Sequence, residues 1–168
     1  FKTASGRTVR DGGGITPDVT IEGHDYSRLT YSLVYSGIIQ EYALDYVREH
    51  ADADEDFHLA DKDWDGFVAF AKTKEFDYRS SAKTYFDRMK KELEKDGLSK
   101  NMSAELDALQ KALEMDKETF LKLKKDEIVP FIEEEIAVRY HFQEAGIKIR
   151  LRYDDQLKKA LASPMIEI

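Results

Sequence analysis

The sequence contains no cysteine, which removes disulfides, thiolate nucleophiles and cysteine-ligated zinc in one step. That absence suits a reducing cytosol and also an oxidising envelope, where a stray thiol is a liability, so it does not choose a compartment. No apolar run approaches the roughly 18 residues of a membrane-spanning helix, and the first residues lack the basic-then-apolar order of a signal peptide. Positive charge is also short: 26 Lys and Arg face 34 Asp and Glu, a formal net charge of −8. Such a field repels a phosphate backbone and no basic stripe overrides it, which excludes nucleic acid as the expected partner.

What is present is 42% hydrophobic and 36% charged. This supplies a core and more charge than the usual quarter, a balance that suits long helices with solvated faces. At 168 residues there is room for one domain with a real core, or for one domain plus an element left over from a neighbour.

Residues 1–22 carry extended-chain and turn signals: Ser5-Gly6, the run Gly12-Gly13-Gly14, Pro17 and the alternation Asp18-Val19-Thr20-Ile21. From Asp25 the period turns helical. Tyr31, Tyr35, Ile38, Tyr42 and Tyr46 share one face and predict a single helix over 27–50, while Leu29, Leu33, Val34, Ile39 and Leu44 lie off that stripe. A helix apolar on several sides needs cover on several sides. Ala51 to Asp56 reads as a solvated acidic linker. Trp64, Phe67, Val68 and Ala71 mark a second helix ending near Lys74. A third, capped by Ser80 or Ser81, presents Ala82, Phe86, Met89 and Leu93 and stops at Asp96-Gly97. A fourth starts at Ser103 with Met102, Leu106, Leu109 and Leu113 on one side. A long pattern follows from Asp116 to Gln143 with Ile128, Ile132, Ile136 and Tyr140 in register; Pro130 predicts a kink or break over 125–129. Gly146 is expected to end it, 147–153 to form a short strand, and Asp154 or Asp155 to cap a last helix bearing Leu157 and Leu161. The fold class is therefore mainly α: a helical bundle-like domain of about five to six helices over 23–168, preceded by a short β strand-loop-strand arm over 1–22.

Several motifs invite chemistry. Asp61, Asp63 and Asp65 with Gly66 and Val68 match the front half of a calcium loop, but the twelfth place holds Lys72 where a bidentate glutamate is needed. The same residues read as a helix start, with Asp61 as cap. Ser80-Ser81-Ala82-Lys83 has serine-lysine spacing without the companion elements such enzymes need, so a cap is expected there too. Glu133-Glu134-Glu135 with His141 suggests metal, yet consecutive helical residues diverge by about 100° and the Glu-x-x-His spacing is absent, leaving a solvated face. His24, His50, His58 and His141 are scattered, and the three glycines lack a P-loop lysine.

The order Phe1-Lys2-Thr3-Ala4-Ser5-Gly6-Arg7, then glycines and Gly14-Ile15-Thr16-Pro17-Asp18-Val19, resembles a signature of the carboxy-terminal processing, or tail-specific, serine proteases. Ala4 stands where that family commonly has proline. The helical remainder, notably 128–161, is similar to the C-terminal extension of larger bacterial members. The resemblance implies a crotonase-like α/β core, often a PDZ domain, and a serine-lysine dyad that precedes the Ser-Gly-Arg turn. No position here corresponds to the dyad. Thr3, Ser5, Gly6, Arg7, Gly14, Pro17 and Asp18 therefore receive structural roles only, and residues 1–22 are expected to be the closing strands of a protease core.

On that reading the chain is a non-catalytic accessory domain: a scaffold, an oligomerisation element or a guide for unfolded or C-terminally exposed substrates. It is inactive alone, needs no cofactor or metal, and acts beside the upstream protease core in a bacterial periplasm or envelope. Self-association through the arm and the first helix is expected. Two rivals are a calcium-binding helical module built on Asp61, Asp63 and Asp65, and a helical adaptor unrelated to proteolysis.

Overall fold

The computed structural model describes Phe1, Lys2, Ala4, Gly6, residues 20–23 and residues 25–162. The expected β arm falls largely outside the described residues. Eight α-helices form the domain: α1 (Arg28–Tyr35), α2 (Ile38–Glu49), α3 (Asp61–Lys72), α4 (Ser81–Lys95), α5 (Ser103–Leu113), α6 (Lys117–Leu123), α7 (Lys125–Arg152) and α8 (Asp155–Ala162), with a 3-10 turn at Ser99–Met102 before α5. No β-strand occurs among the described residues.

The predicted single helix over 27–50 is two. Gly37 lies between α1 and α2 at φ 75°, a left-handed conformation that closes one helix and redirects the next. The redirection divides these apolar residues between core and surface. Leu29, Leu33 and Ile39, off the tyrosine stripe, are completely buried, whereas Tyr31 and Tyr35 on the stripe are exposed. Ile38 is buried, and Tyr42 and Tyr46 are half-buried.

One contiguous core joins Leu29 and Leu33 of α1, Ile38, Ile39 and Ala43 of α2, the predicted face of α3 (Trp64, Phe67, Val68, Ala71), Phe120 and Leu121 of α6, and Ile128, Ile132 and Ile136 of α7. The most extensive helix contact is α2 on α7. The break predicted from Pro130 falls at Lys124, between α6 and α7, while Pro130 itself stays inside α7. The carbonyl it leaves unpaired belongs to Asp126, an exposed residue.

The α4–α5 hairpin stands apart from this core. Of the faces predicted for these helices, Phe86 and Leu106 alone are buried, while Met89, Met102 and Leu109 are exposed. The Asp96-Gly97 stop and the Ser80 cap fall as expected.

The largest departure from expectation lies in α7. Gly146 does not end a helix and 147–152 is not a strand. Instead the backbone reverses at His141 (φ −126°, ψ 15°) and Phe142 (φ 65°, ψ −170°), and a second arm, 143–152, packs back on the first, 125–140. Gly146 lies in the seam between them, where a Cβ would meet Val138 Cγ2 at 2.5 Å. Glycine is there for close approach, not as a stop. Ala137, Ala145 and Ile149 form the small apolar seam.

Phe142 is 82% exposed at this turn, so its ring repays little of the strain of a positive φ, on the order of 1–3 kcal/mol for a residue with a Cβ. Phe142→Gly is expected to raise stability, by up to about 1 kcal/mol after the added chain entropy of glycine. A urea midpoint that moves down instead would show that the ring carries packing.

Candidate functional site

The calcium reading fails on geometry. Asp61, Asp63 and Asp65 belong to α3, where alternate side chains point about 200° apart and cannot converge on one ion. Lys125 Nζ bonds Asp61 Oδ1 at 2.6 Å and holds that carboxyl below its usual range. Lys72, at the closing position, pairs with Glu118. The helix-start reading stands, corrected in one detail: Ala60 occupies the cap position without a side-chain bond, and Asp61 is the first helical residue. No group of three or more His, Cys, Asp or Glu side chains suited to a metal occurs among the described residues.

The serine-lysine pair is a cap. Ser80 Oγ accepts the Lys83 backbone N–H at 3.0 Å, and Lys83 Nζ donates to Asp87 Oδ1 at 2.5 Å. The ammonium is thereby paired away from the hydroxyl it would have to deprotonate. Of the protease-like signature, Thr3, Ser5, Arg7, Gly14, Pro17 and Asp18 lie outside the described residues; Gly6 takes φ 82°, a conformation that glycine adopts without strain.

The three glutamates diverge as expected, but one of them is not solvated. Glu134 pairs with Arg150 at 3.1 Å; burial pushes its carboxyl up, with Arg150 acting against it. Glu135 accepts from Arg139 Nη1 at 2.5 Å and Gln40 Nε2 at 3.2 Å. Glu133, by contrast, is 2% exposed. Its Oε1 accepts the Leu59 backbone N–H at 2.9 Å, and its Oε2 accepts from Arg152 Nη1 at 2.9 Å and the Tyr153 hydroxyl at 2.8 Å. Arg152 Nη1 also donates to the Phe57 carbonyl at 2.9 Å, and Nη2 pairs with Asp56. Burial, then the bond to Glu133, pushes the Tyr153 hydroxyl up. One buried carboxylate thus ties together both arms of α7 and the 56–59 loop.

A second anchor fixes the start of the helical body. Glu127 Oε2 accepts the Ser27 backbone N–H and the Thr30 hydroxyl, each at 2.9 Å, while Lys124 Nζ reaches Oε1 at 2.5 Å. Burial alone would raise this carboxyl, but Lys124, Ser27 and Thr30 overcome it and hold it at about 2. The folded value lies below the unfolded one of 4.5, so the stabilisation is full above that pH and is lost as pH falls toward about 2. Glu127→Gln is expected to lose roughly 2–3 kcal/mol at neutral pH, with the gap from the parent closing through that acid window. Urea unfolding at several pH values reads it; a gap independent of pH would contradict the assignment.

Just ahead of this anchor, Tyr26 packs edge-on against Phe131 of α7 with ring centroids 5.1 Å apart. Ile21, Glu22, Gly23 and Tyr26 border a groove of about 550 Å³ with Pro130 and Phe131 of α7 and Tyr153 and Lys158 near α8. The chain leading from the signature-bearing residues is therefore seated on the helical body through backbone, ring and groove contacts.

Sequence reasoning missed Glu133 and Glu127 as organising residues. Glu133 follows Ile132 directly and shares the inward side of α7 with Ile136 and Ala137, a register signal that marks burial. Its partner Arg152 was hidden, because nothing at Tyr140-His141-Phe142 announces the reversal.

No curated protein and no solved structure matches the chain. A family model described as "Probable PDZ-protease, C-terminal helical domain" matches residues 29–163, from the second residue of α1 to just past α8. This covers every helix and most of the chain, and agrees with the protease resemblance of residues outside its range. The chain belongs to that family, the C-terminal helical domain of a PDZ-protease.

Proposed function

We propose that this domain is a non-catalytic scaffold of a tail-specific serine endopeptidase of the bacterial periplasm or envelope. Peptide-bond hydrolysis falls to an upstream serine-lysine dyad, and the helices stand beside the core as a scaffold that borders the path of unfolded substrate. The observation that carries this reading is the seating of Tyr26 and Ser27 on α7. The segment that follows the protease signature is bonded to Glu127 and packed on Phe131, which makes the helical body a rigid continuation of that segment and not a tethered bead.

Truncation of the intact protease before Ser27 tests the proposal. Cleavage of a short peptide should persist, while degradation of an unfolded protein should fall sharply. Equal loss of both would place the helices in the chemistry, and loss of neither would remove the scaffold role. The calcium-module reading has no geometric support in α3, and the family match replaces the unrelated adaptor.

A further inference from the structure

We infer that the outward face of α1, built on Tyr31 and Tyr35, is the docking surface for the upstream protease portion of the same polypeptide. The inference rests on the scaffold reading and adds to it the face that is used.

Helix α1 is apolar on two sides. Leu29 and Leu33 fill the core at 0% exposure, while Tyr31 and Tyr35 stand out at 45% and 84%. The outward tyrosines are ordered against each other, with rings stacked at 6.2 Å and 19°. Tyr31 continues edge-on to Tyr26 at 6.1 Å, and Tyr26 to Phe131 at 5.1 Å. The result is one aromatic stripe running from Tyr26, seated on Phe131, onto open surface. Tyrosines arranged this way offer large, stiff contact area at small entropic cost and a hydroxyl for the wet rim, the properties of interface anchors.

The position of the stripe selects the occupant. In a C-terminal domain of a protease, the protease portion joins on the N-terminal side, through residues 20–26, and those residues run directly into the stripe. Ser27, fixed by Glu127, sets the direction in which the upstream chain leaves. A covalent connection that reaches the helical body at Ser27 gives the upstream portion a high effective concentration at this face, which neither a second copy nor a free substrate shares. Charge does not oppose such contact. Arg28 on the same helix is paired at 3.0 Å with Asp77, a carboxylate it shares with Arg79, and an uncharged aromatic patch beside it suits an apolar protein surface, not an ionic ligand.

The absence of native cysteine from this chain makes a thiol probe straightforward. Tyr35→Cys is placed in this chain alone and in the intact protease freed of other thiols, and maleimide modification is timed in both. Tyr85→Cys, on the exposed side of α4, serves as the reference site. Modification at position 35 should be slowed about tenfold or more in the intact protease, while position 85 reacts equally in both. Equal rates at position 35 would overturn the assignment. So would protection in the isolated chain that grows with its concentration, which would indicate a second copy, or protection that appears only with added unfolded protein, which would indicate substrate. Failure here with success of the truncation experiment would leave the scaffold role intact and this face unassigned.

Discussion

Glu133→Ala is expected to cost about 3–5 kcal/mol, enough to take most of the stability of a domain this size. The carboxylate accepts from the Leu59 N–H and the Tyr153 hydroxyl, and it bonds the Arg152 guanidinium. Truncation takes the shared acceptor from these donors at a position that is itself 2% exposed, and donors left without acceptors pay a desolvation penalty. The damage should not spread evenly. Because the arms of α7 share only Ala137, Ala145 and Ile149 as buried apolar contact, the second arm and α8 should open first, with amide exchange over 143–162 rising ahead of α2 and α3. Glu133→Gln, which keeps one acceptor oxygen, should recover part of the loss, and a double-mutant cycle with Tyr153→Phe should show strong coupling. Uniform exchange along the chain, or additive losses in the cycle, would remove the node from its organising role.

Phe67→Ala should cost a similar amount, about 3–5 kcal/mol, by a different route. The ring is completely buried between Tyr42, edge-on at 5.2 Å, and Trp64 at 5.6 Å. Its removal leaves a cavity where α2 meets α3. Tyr42 is pinned there by its hydroxyl, which donates to the Asp63 carbonyl at 2.6 Å, so collapse into the space is restricted. Burial, then the Asp63 charge, pushes that hydroxyl's pKa well up. Thermal unfolding followed by circular dichroism should drop by roughly 10–15 °C. In contrast to Glu133→Ala, the loss should be global and two-state, since residue 67 sits in the main core and not in the α7 seam. A shift of a degree or two would mean that Tyr42 and Trp64 close over the gap.

These two residues also show what the sequence made legible. Phe67 was readable, because Trp64, Phe67, Val68 and Ala71 repeat at helical spacing and α3 buries all four. The caps at Ser27, Ser80 and Asp116 each accept a backbone N–H from the first turn, and local chemistry of that kind is visible in a short window. The turns were less so. Gly37 is one glycine between Ser36 and Ile38 in a largely apolar stretch, with no proline or second glycine to mark it, and the periodicity of the tyrosines ran across it. At His141-Phe142 the reversal uses a phenylalanine in a conformation that glycine normally supplies, so the turn had no residue signal and Gly146, four positions on, took the blame. With the turn misplaced, Arg150 and Arg152 could not be set against Glu134 and Glu133, and the acidic triplet read as solvated. Long-range pairing depends on the fold, whereas capping and periodicity do not.

The N-terminal resemblance and the family match rest on separate parts of the chain and both point to a protease. The first rests on residues 1–19, the second on a match that begins at residue 29.

The measurement closest to the central claim is hydrolysis by the purified 168-residue chain, offered both a fluorogenic peptide and an unfolded protein. The account predicts no turnover above buffer, since the Ser80 hydroxyl is spent on a helix cap and the Lys83 ammonium on Asp87. Sustained turnover that disappears in Ser80→Ala or Lys83→Ala would contradict it, because the chemistry would then lie within the helices.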